Sequence, residues 1–469
     1  MIPVSLSWVA EQVNGQLIAQ QKQDVILKGV STDTRSILPT DLFLALQGPN
    51  FDGHKFVQQA QEKGAVALIL SRKVDTQLPY VLVEDTKLAL GLLGAAVKAK
   101  VAPKTVGITG SSGKTTVREM VAAILSRRGK VLATHGNFNN DLGVPMTLLR
   151  LEQQHEFAVI EMGANHSGEI AYTTNLVKPD VATIVNAAEA HLEGFGSLLG
   201  VARAKSEIFK GLPENDGVAI VNADSQFANF WLDNVKCNNV QTFSAHKKAD
   251  VYAQDMVLDL DGYAQFELVT SKGHIAIRLS LPGVHNVHNA LAAASLALQV
   301  GATLKDVQDG LRVMSHVPGR LHVKQLSDQV KIVDDTYNAN VGSVNAAIDL
   351  LSSFTGTNIL VLGDIGELGE KARYYHEQVG EYAKQKGINK LYTLGVLSQY
   401  ASDVFVDQGR NFSRLEQMIE CINQQVLLEK CAINILVKGS RSARMELVVK
   451  ALEESPLGKL DRFREKIAC

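Results

Sequence analysis

Short apolar runs with β character alternate with helical patterns along most of this chain. In the first hundred residues, β-like runs such as GQLIA, DLFLAL and AVALIL are separated by helical patterns at 56–63 and 88–100. Further along, runs such as FAVIEMG and VATIVNA alternate with helices in the same way. This alternation predicts mostly parallel sheets with helices on both faces. We therefore expect an α/β protein.

The pattern of apolar runs divides the chain into three predicted α/β units. At 469 residues the chain is too long for one ordinary core. A proline break near residue 103 follows the first unit, and residues 250–281 alternate like antiparallel strands late in the second. We predict an N-terminal α/β domain over 1–100, a central phosphate-loop-type domain with a mostly parallel sheet over 101–315, and a C-terminal Rossmann-like domain over 316–469.

Composition narrows the class of partner. The formal net charge is -2, with both signs interspersed, which argues against nucleic acid or an anionic membrane and favours a small substrate. Cys237, Cys421, Cys431 and Cys469 have no metal-ligand spacing, which suits reduced thiols. The N-terminus lacks a signal-peptide pattern, and no segment is long enough to cross a bilayer. We expect a cytoplasmic protein with no membrane insertion, and a monomer.

The clearest chemical signal is the stretch GITGSSGKTT at 107–116. A β run precedes it and a helical pattern from Val117 to Arg128 follows, so the stretch reads as a phosphate-binding loop at a helix N-terminus. The common spacing would place glycine at position 108, where this chain has Ile108, so the loop is either a variant or an ordinary Gly/Ser turn. The predicted phosphate contacts are Gly110, Ser111, Ser112, Gly113, Lys114, Thr115 and Thr116.

Polar residues then follow several predicted strands. Asn137, Asn139 and Asn140 lie in a turn before a helix, where asparagine is also common for purely structural reasons. Glu161 ends an apolar run, about where a carboxylate would meet a magnesium ion at the phosphate loop. His191 follows the next strand and Lys205 lies on a helical segment. Taken alone, these two residues would be an ordinary loop histidine and a solvated lysine.

Together these segments resemble the Mur ligase family, ATP-dependent enzymes that form the amide bonds of the bacterial peptidoglycan peptide. The resemblance covers nearly the whole chain and rests on motifs that occur in the family's order. These are TGSSGKTT, EMGANHSGEI, NAAEAHLEGFGS, AKSEIF, GVHNVHNALAA, VPGR, DDTYNAN, LGDIGELG and LVKGSRSARME. One departure is Val341, where the family pattern has a proline that would stiffen the turn.

The resemblance implies a substrate and a set of metal ligands. STDTRSILPTDLFLALQG, DGHKF, DDTYNAN and KGSRSARME resemble members that join D-alanyl-D-alanine to a UDP-N-acetylmuramoyl-tripeptide. ATP and Mg²⁺ are the implied cofactors, with Lys114 on the terminal phosphates. Thr115 and Glu161 would hold one Mg²⁺, and His191 a second. Lys205 matches a lysine that family members carbamylate with CO₂, which gives an anion beside the metal.

The remaining implied contacts lie in all three domains. Asn286 and Asn289 match the region that meets adenine, and Arg320 and Asp335 match positions for phosphate and ribose. Two further groups are implied for the other substrates. The group for the uridine diphosphate is Ser31, Thr32, Asp33 and Arg35, and the group for the terminal carboxylate of the dipeptide is Lys438, Ser440 and Arg441.

Two alternatives stay open at this point. The chain could be another ligase of the same superfamily, adding one amino acid to a shorter muramoyl peptide or glutamate to folate. The DNPR-type motif of the ligase that adds the third residue does not occur here, which favours the dipeptide. From a different class, the chain could be a phosphate-loop ATPase or a nucleotide-dependent binding module that forms no bond.

Overall fold

The computed structural model of the protein describes residues 1–19, 24–314, 318–429 and 431–455. Three large sheets follow one another along the chain, each with helices packed against it. The predicted α/β class with mostly parallel sheets is confirmed. Within the described residues, no helix combines the length and the apolar character needed to cross a membrane.

The N-terminal part is built on a five-stranded sheet in the order β2-β9-β8-β5-β4, with β2 antiparallel to β9 and the other pairs parallel. Its last helix packs against the second part of the chain, and the two parts share one apolar core. The strands are β1 (Val4–Ser5), β2 (Gln16–Ile18), β3 (Ile26–Leu27), β4 (Gly29–Ser31), β5 (Asp41–Leu44), β6 (Gln47–Gly48), β7 (Phe51–Asp52), β8 (Ala67–Leu70) and β9 (Tyr80–Leu82). The helices are α1 (Leu6–Gln12), α2 (Val57–Glu62) and α3 (Thr86–Val101).

The central part has a nine-stranded sheet in the order β11-β12-β10-β13-β14-β15-β16-β17-β18. The strands are β10 (Lys104–Thr109), β11 (Val131–Ala133), β12 (Phe157–Glu161), β13 (Val181–Ile184), β14 (Val218–Asn222), β15 (Asn239–Ser244), β16 (Val251–Leu258), β17 (Tyr263–Thr270) and β18 (Gly273–Pro282). The helices are α4 (Lys114–Leu125), α5 (Gly143–Leu148), α6 (Glu169–Val177), α7 (Leu192–Phe195), α8 (Leu198–Ser206), α9 (Ala228–Asn234), α10 (Val284–Gln299) and α11 (Leu304–Arg312).

Strand direction in this sheet follows the sequence pattern. Neighbouring strands from β11 to β16 run parallel, and β16, β17 and β18 are antiparallel, as the alternation at 250–281 predicted. The helix after the phosphate loop differs from its predicted bounds, since α4 begins at Lys114 and ends at Leu125. Gly113, in the left-handed region with φ 77°, ends the turn and lets the helix begin directly at the lysine.

The C-terminal part has a six-stranded sheet in the order β19-β20-β24-β21-β22-β23, parallel except for the β19–β20 pair. The strands are β19 (His322–Gln325), β20 (Val330–Asp335), β21 (Thr357–Gly363), β22 (Lys390–Leu394), β23 (Gly409–Phe412) and β24 (Ile433–Lys438). The helices are α12 (Val341–Ser352), α13 (Ala372–Gln385), α14 (Gln399–Asp403), α15 (Leu415–Leu428) and α16 (Glu446–Glu454). Apolar cores lie on both faces of the sheet.

Val341 occupies the first helical position of α12. Asn340 caps this helix through a reciprocal pair of hydrogen bonds with Ser343. The first backbone N–H of a helix has no partner within the helix, so proline is favoured there without being required. The hydrogen bonds between Asn340 and Ser343, which form a capping box, fix the start of α12 without a proline. The predicted domain boundary at 315–316 lies outside the described residues, as do Cys469 and Val317 of the VPGR motif.

Candidate active site

A cleft of about 890 Å³ lies between the central and C-terminal sheets. The phosphate loop after β10, the end of β12 and the loop after β13 line it from the central side. Residues that follow β20 and β24 line it from the C-terminal side. These are the carboxyl ends of parallel strands, and β10 lies between β12 and β13, where the strand order reverses. Ligands of open α/β sheets bind at such a point.

The phosphate loop is braced by the first residues of the NAAEAHLEGFGS motif, whose Asn186 was not predicted to have a role. Asn186 accepts a hydrogen bond from the Ser112 backbone N–H at 2.9 Å and donates one to the Ser112 carbonyl at 3.1 Å. The Ser111 hydroxyl donates to the Ala188 carbonyl at 3.1 Å. Gly113 also has no room for a side chain, because a Cβ there would lie 2.6 Å from Oδ1 of Asn289. The loop therefore has one defined shape.

Lys114 is enclosed within the cleft. Its Nζ donates a hydrogen bond to the Gly110 carbonyl at 2.7 Å. Burial lowers the pKa of this lysine, and the nearby carboxylate of Glu161 opposes that shift. A half-buried ammonium at a helix N-terminus favours an anionic ligand. Thr116, two residues further along α4, lines a smaller chamber behind the loop.

Glu161 lies at the centre of a polar cluster beneath the loop and is 2% exposed. Its Oε2 accepts hydrogen bonds from Oγ1 of Thr115 at 3.1 Å and Nη1 of Arg118 at 3.2 Å. Its Oε1 accepts one from Nδ2 of Asn139 at 2.8 Å. Thr115 and Glu161 are 46 residues apart in the sequence and were predicted to bind one metal ion. In the structure they are neighbours. Arg118, on the buried side of α4, gave no signal of its role in the sequence.

The three asparagines of the 136–145 segment differ in position. Asn137 and Asn139 line the cleft. Asn140 accepts a hydrogen bond from the Gly143 backbone N–H at 2.8 Å, at the start of α5. Its side chain therefore has the turn-stabilising role that asparagine often has before a helix.

Lys205 is 1% exposed and lines the cleft, so the default reading of a solvated lysine is wrong. Its Nζ lies 5.9 Å from the centre of the Phe195 ring. Burial lowers the pKa of Lys205 well below its ordinary value, and the positive charge of Lys114 lowers it further. A larger fraction of the amine is then neutral, and a neutral amine is the form that reacts with CO₂.

His191 faces the C-terminal sheet. Its Nδ1 lies 2.5 Å from Oε2 of Glu367, which belongs to the loop after β21. This hydrogen bond lowers the pKa of the Glu367 carboxyl. Glu367 lies within the LGDIGELG motif, but nothing in the local pattern distinguished it from a solvated loop residue.

Arg320 reaches from the C-terminal part toward the phosphate loop. Its Nη2 lies 3.4 Å from Oγ1 of Thr115, and its guanidinium stacks 4.2 Å from the centre of the Tyr337 ring. The Nε atom is buried and has no hydrogen-bond partner among the described residues. Asn340 also crosses the cleft, with Nδ2 donating to the Ser111 carbonyl at 3.3 Å.

The smaller chamber, of about 210 Å³, lies behind the phosphate loop. Asn286, Asn289 and Asp335 line it, so the structure brings together the residues implied for adenine and ribose. Asn289 Nδ2 donates to Oδ1 of Asn286 at 2.9 Å, which fixes both amides. His285, which precedes Asn286 in α10, lines the same chamber and was not predicted.

The three residues implied for the dipeptide carboxylate do not form one group. Lys438 is buried in this chamber, and its Nζ lies 2.6 Å from Oδ2 of Asp335 and 2.9 Å from the Asn338 carbonyl. Ser440 accepts a hydrogen bond from the Gly366 backbone N–H at 2.7 Å. Only the Arg441 side chain is exposed, and it lines the large cleft. Lys438 is therefore not placed for a carboxylate in that cleft, because it already pairs with Asp335.

The segment implied for the uridine diphosphate lies at the end of β4. Nη2 of Arg35 lies 2.6 Å from Oδ2 of Asp33, and this pairing lowers the pKa of Asp33 to about 2. The Arg35 side chain is 88% exposed. In the described part of the chain, Ser31, Thr32, Asp33 and Arg35 line neither the cleft nor the chamber. They form a separate polar surface on the N-terminal part.

Family models match most of the chain. The Mur ligase family catalytic domain matches residues 26–128, the Mur ligase middle domain matches 108–297, and the Mur ligase glutamate ligase domain matches 319–441. The chain is 48% identical to the UDP-N-acetylmuramoyl-tripeptide–D-alanyl-D-alanine ligase of Escherichia coli (strain K12), covering 97% of this chain and 99% of that protein. It is 34% identical to the enzyme of the same name from Bacillus subtilis (strain 168), covering 97% and 100%.

Solved structures agree. MurF from Acinetobacter baumannii is 37% identical and superposes with a TM-score of 0.90, covering 97% of this chain and 99% of that one. MurF ligase from Thermotoga maritima in complex with ADP is 28% identical, with a TM-score of 0.80 and coverage of 92% and 98%. Sequence and fold lead to the same conclusion over nearly the full length. The chain belongs to the Mur ligase family.

Proposed function

We propose that this protein is an ATP-dependent ligase that joins D-alanyl-D-alanine to UDP-N-acetylmuramoyl-tripeptide, giving the pentapeptide precursor of peptidoglycan, ADP and phosphate. Full-length similarity to ligases with this name supports the choice of substrates. We also propose domain boundaries at 100 and 315, a cytoplasmic location and a monomer. Free thiols at Cys237, Cys421 and Cys431 support a reducing compartment.

One observation carries the nucleotide assignment: an excess of buried and half-buried positive charge around the phosphate loop. Lys114, Lys205 and Arg320 face the same cleft, and burial lowers the pKa of each. The buried Nε of Arg320 lacks an acceptor within the described residues. Uncompensated buried cations are unfavourable, so such a site favours a polyanion. A triphosphate supplies the missing negative charge and the acceptors.

The same region has oxygen ligands suited to Mg²⁺. The Thr115 hydroxyl and the Glu161 carboxylate are 3.1 Å apart, and hard cations prefer such oxygens. We assign these two residues to one ion, and His191 with a carbamate on Lys205 to a second. Bound Mg²⁺ would offset the repulsion between phosphate and carboxylate oxygens.

The chemistry of amide formation explains why positive charge is needed in this cleft. A carboxylate does not accept an amine at neutral pH because oxide is a very poor leaving group. Transfer of the ATP γ-phosphoryl to the tripeptide carboxylate gives an acyl phosphate, and attack by the dipeptide amine then releases phosphate. Lys114, the loop N–H groups and Arg320 stabilise negative charge on the transferring group. Burial between the two sheets limits access of water to the acyl phosphate.

The other substrates are assigned to the two outer parts of the protein. We place the uridine diphosphate at Ser31, Thr32, Asp33 and Arg35, on the N-terminal surface. Arg441 is our candidate for the dipeptide carboxylate, because its guanidinium is exposed at the cleft while Lys438 is paired with Asp335. The tripeptide would then extend from the N-terminal surface into the cleft.

The test is ADP release with each substrate omitted in turn. A ligase with these substrates requires both the UDP-muramoyl-tripeptide and D-alanyl-D-alanine for turnover. ADP release that ignores both would identify an ATPase, and release supported by a single amino acid or by a folate would identify another ligase of the superfamily. Mass spectrometry of the product checks that the pentapeptide has formed.

A further inference from the structure

A cluster of metal-ligating side chains lies outside the site described above. It consists of Asp224, His246 and His288, and the ligand atoms of all three lie within 4.8 Å of one another. Nε2 of His288 lies 3.3 Å from Oδ2 of Asp224, and the ring centres of His246 and His288 are 5.1 Å apart. None of the three belongs to the residues assigned above to the phosphates, magnesium or the peptide substrates.

Three separate elements bring the cluster together. Asp224 follows β14 and His246 follows β15, which are adjacent parallel strands, so their carboxyl ends open at the same edge of the sheet. His288 comes from α10, which packs against both strands. The cluster is thus built on the sheet and on a long helix, which limits how far its members can separate.

The carboxylate is held in place by its own hydrogen bonds. Oδ1 of Asp224 accepts one from the Ser244 hydroxyl at 2.6 Å, and Oδ2 accepts one from the Ala245 backbone N–H at 2.7 Å. The same Ser244 hydroxyl accepts the His246 backbone N–H at 3.0 Å. Metal-binding carboxylates are oriented by outer hydrogen bonds of this kind.

We propose that Asp224, His246 and His288 bind a divalent ion of the zinc class. Two imidazoles and one carboxylate are a ligand set that suits Zn²⁺, whereas Mg²⁺ and Ca²⁺ prefer oxygen ligands only. Bonds of about 2.0 to 2.2 Å would draw the ligand atoms somewhat closer than they are here. His246 is on an exposed loop and can make that adjustment. Three protein ligands leave one position for water or another small ligand.

The site lies at the rim of the small chamber, because His288 also lines it. It is a separate place from the assigned magnesium ligands, which line the large cleft. The proposal therefore does not depend on the ligase function. It requires only that the full-length protein binds the metal ion when no substrate is present.

Cobalt(II) is a suitable probe, because it replaces zinc and has visible absorption bands that report its ligands. The full chain is titrated with Co²⁺ in excess Mg²⁺, and Zn²⁺ is then added to displace it. We expect one Co²⁺ per chain, complete displacement, and no sulfur-to-cobalt charge transfer, which excludes binding at the cysteines. Absence of binding by the wild-type protein would overturn the proposal.

Single variants locate the ion. His246→Gln, His288→Gln and Asp224→Asn should each weaken Co²⁺ binding by about tenfold or more. His274→Gln, which changes an exposed histidine on β18, is the matched control and should bind as the wild type does. Equal affinity in the wild type and the His246→Gln variant would place the ion elsewhere. This variant keeps the test valid even if His288→Gln fails to fold, because His246 is exposed.

Discussion

His191 and Glu367 form a hydrogen-bonded pair across the large cleft, with Nδ1 of the histidine 2.5 Å from Oε2 of the glutamate. Both residues have left-handed backbones, with φ 53° and 62°. Such conformations are uncommon outside glycine and occur where surrounding structure enforces them. His191 follows a strand of the central sheet and Glu367 follows a strand of the C-terminal sheet, so the pair exists only while the central and C-terminal parts lie close together. Glu367 therefore belongs with His191 in the proposed metal region.

Lys114→Ala should lower turnover by roughly two orders of magnitude or more, because it removes the charge nearest the transferring phosphoryl group. Steady-state ADP release measures this, and circular dichroism checks that the variant is folded. Lys104→Ala, on the same strand–loop unit but exposed, is the control and should retain full activity. Near-normal ligation by Lys114→Ala would refute the phosphate-loop assignment.

Lys205→Ala should nearly abolish ligation while the protein stays folded and still binds ATP. As a carbamate, Lys205 supplies an anion, and a short carboxylic acid such as acetate or formate can occupy the vacated space. Added acid should therefore restore part of the activity of this variant. The same addition should not increase the activity of the wild type. The exposed Lys210→Ala is the control. Failure of every acid to restore activity would leave the carbamate without support.

Arg35→Ala should raise the Michaelis constant for the UDP-muramoyl-tripeptide and leave that for ATP unchanged, because the two ligands are assigned to different parts of the protein. Arg72→Ala is a control in the same part, since Arg72 is also exposed and also pairs with an aspartate. An equal loss for both substrates would indicate misfolding or a shared site.

Lys438→Met should reduce the free energy of unfolding by about 3 to 5 kcal/mol, because it leaves the buried Asp335 carboxylate without its partner. Urea unfolding measures this. Lys450→Met removes an exposed pair on α16 and should cost less than about 0.5 kcal/mol. If the Lys438→Met and Lys450→Met variants were equally stable, the ion pair with Asp335 would not contribute to the free energy of unfolding. Adding Asp335→Asn to Lys438→Met should recover part of the loss.

His285 should make stability depend on pH. Burial lowers its pKa from 6.5 to about 4, although Asp335 opposes the shift. Between those values the unfolded chain binds a proton that the folded chain does not, so stability falls as the pH drops from 6.5 to 4. The ring keeps partial exposure, and we expect a loss of about 2 kcal/mol. The His285→Gln variant should lose that share of the pH dependence; an unchanged profile would contradict the assignment.

Local pattern was enough to predict much of the fold and part of the site. The strands β10, β12, β20 and β24 are short apolar runs that each end in polar or glycine residues. This local pattern was enough to predict each of them as a strand. The resemblance to the family implied that Thr115 and Glu161 share one ion, and the position of Glu161 at the end of an apolar run agreed with that, because parallel strands bring their carboxyl ends to one edge.

Contacts between distant segments could not be predicted in this way. Asn186 braces a loop 74 residues away, and Lys438 pairs with an aspartate 103 residues away. The pairing of Lys438 depends on β20 and β24 being neighbours, which is a property of strand order. The burial of Lys205 likewise depends on how α8 packs. The sequence around a lysine does not show which anionic side chain, if any, the fold places beside it.

Gly113 has a consequence for how this protein can change. Its backbone conformation shapes the phosphate loop, and its missing side chain admits the amide of Asn289. In the proposed nucleotide site, one position thus shapes both the phosphate loop and the chamber behind it. Any replacement would displace both together, so mutation here cannot retune nucleotide preference while sparing phosphate chemistry. If the chamber holds the nucleoside as proposed, Ala346 and Ala347, which also line it, are the positions to vary instead.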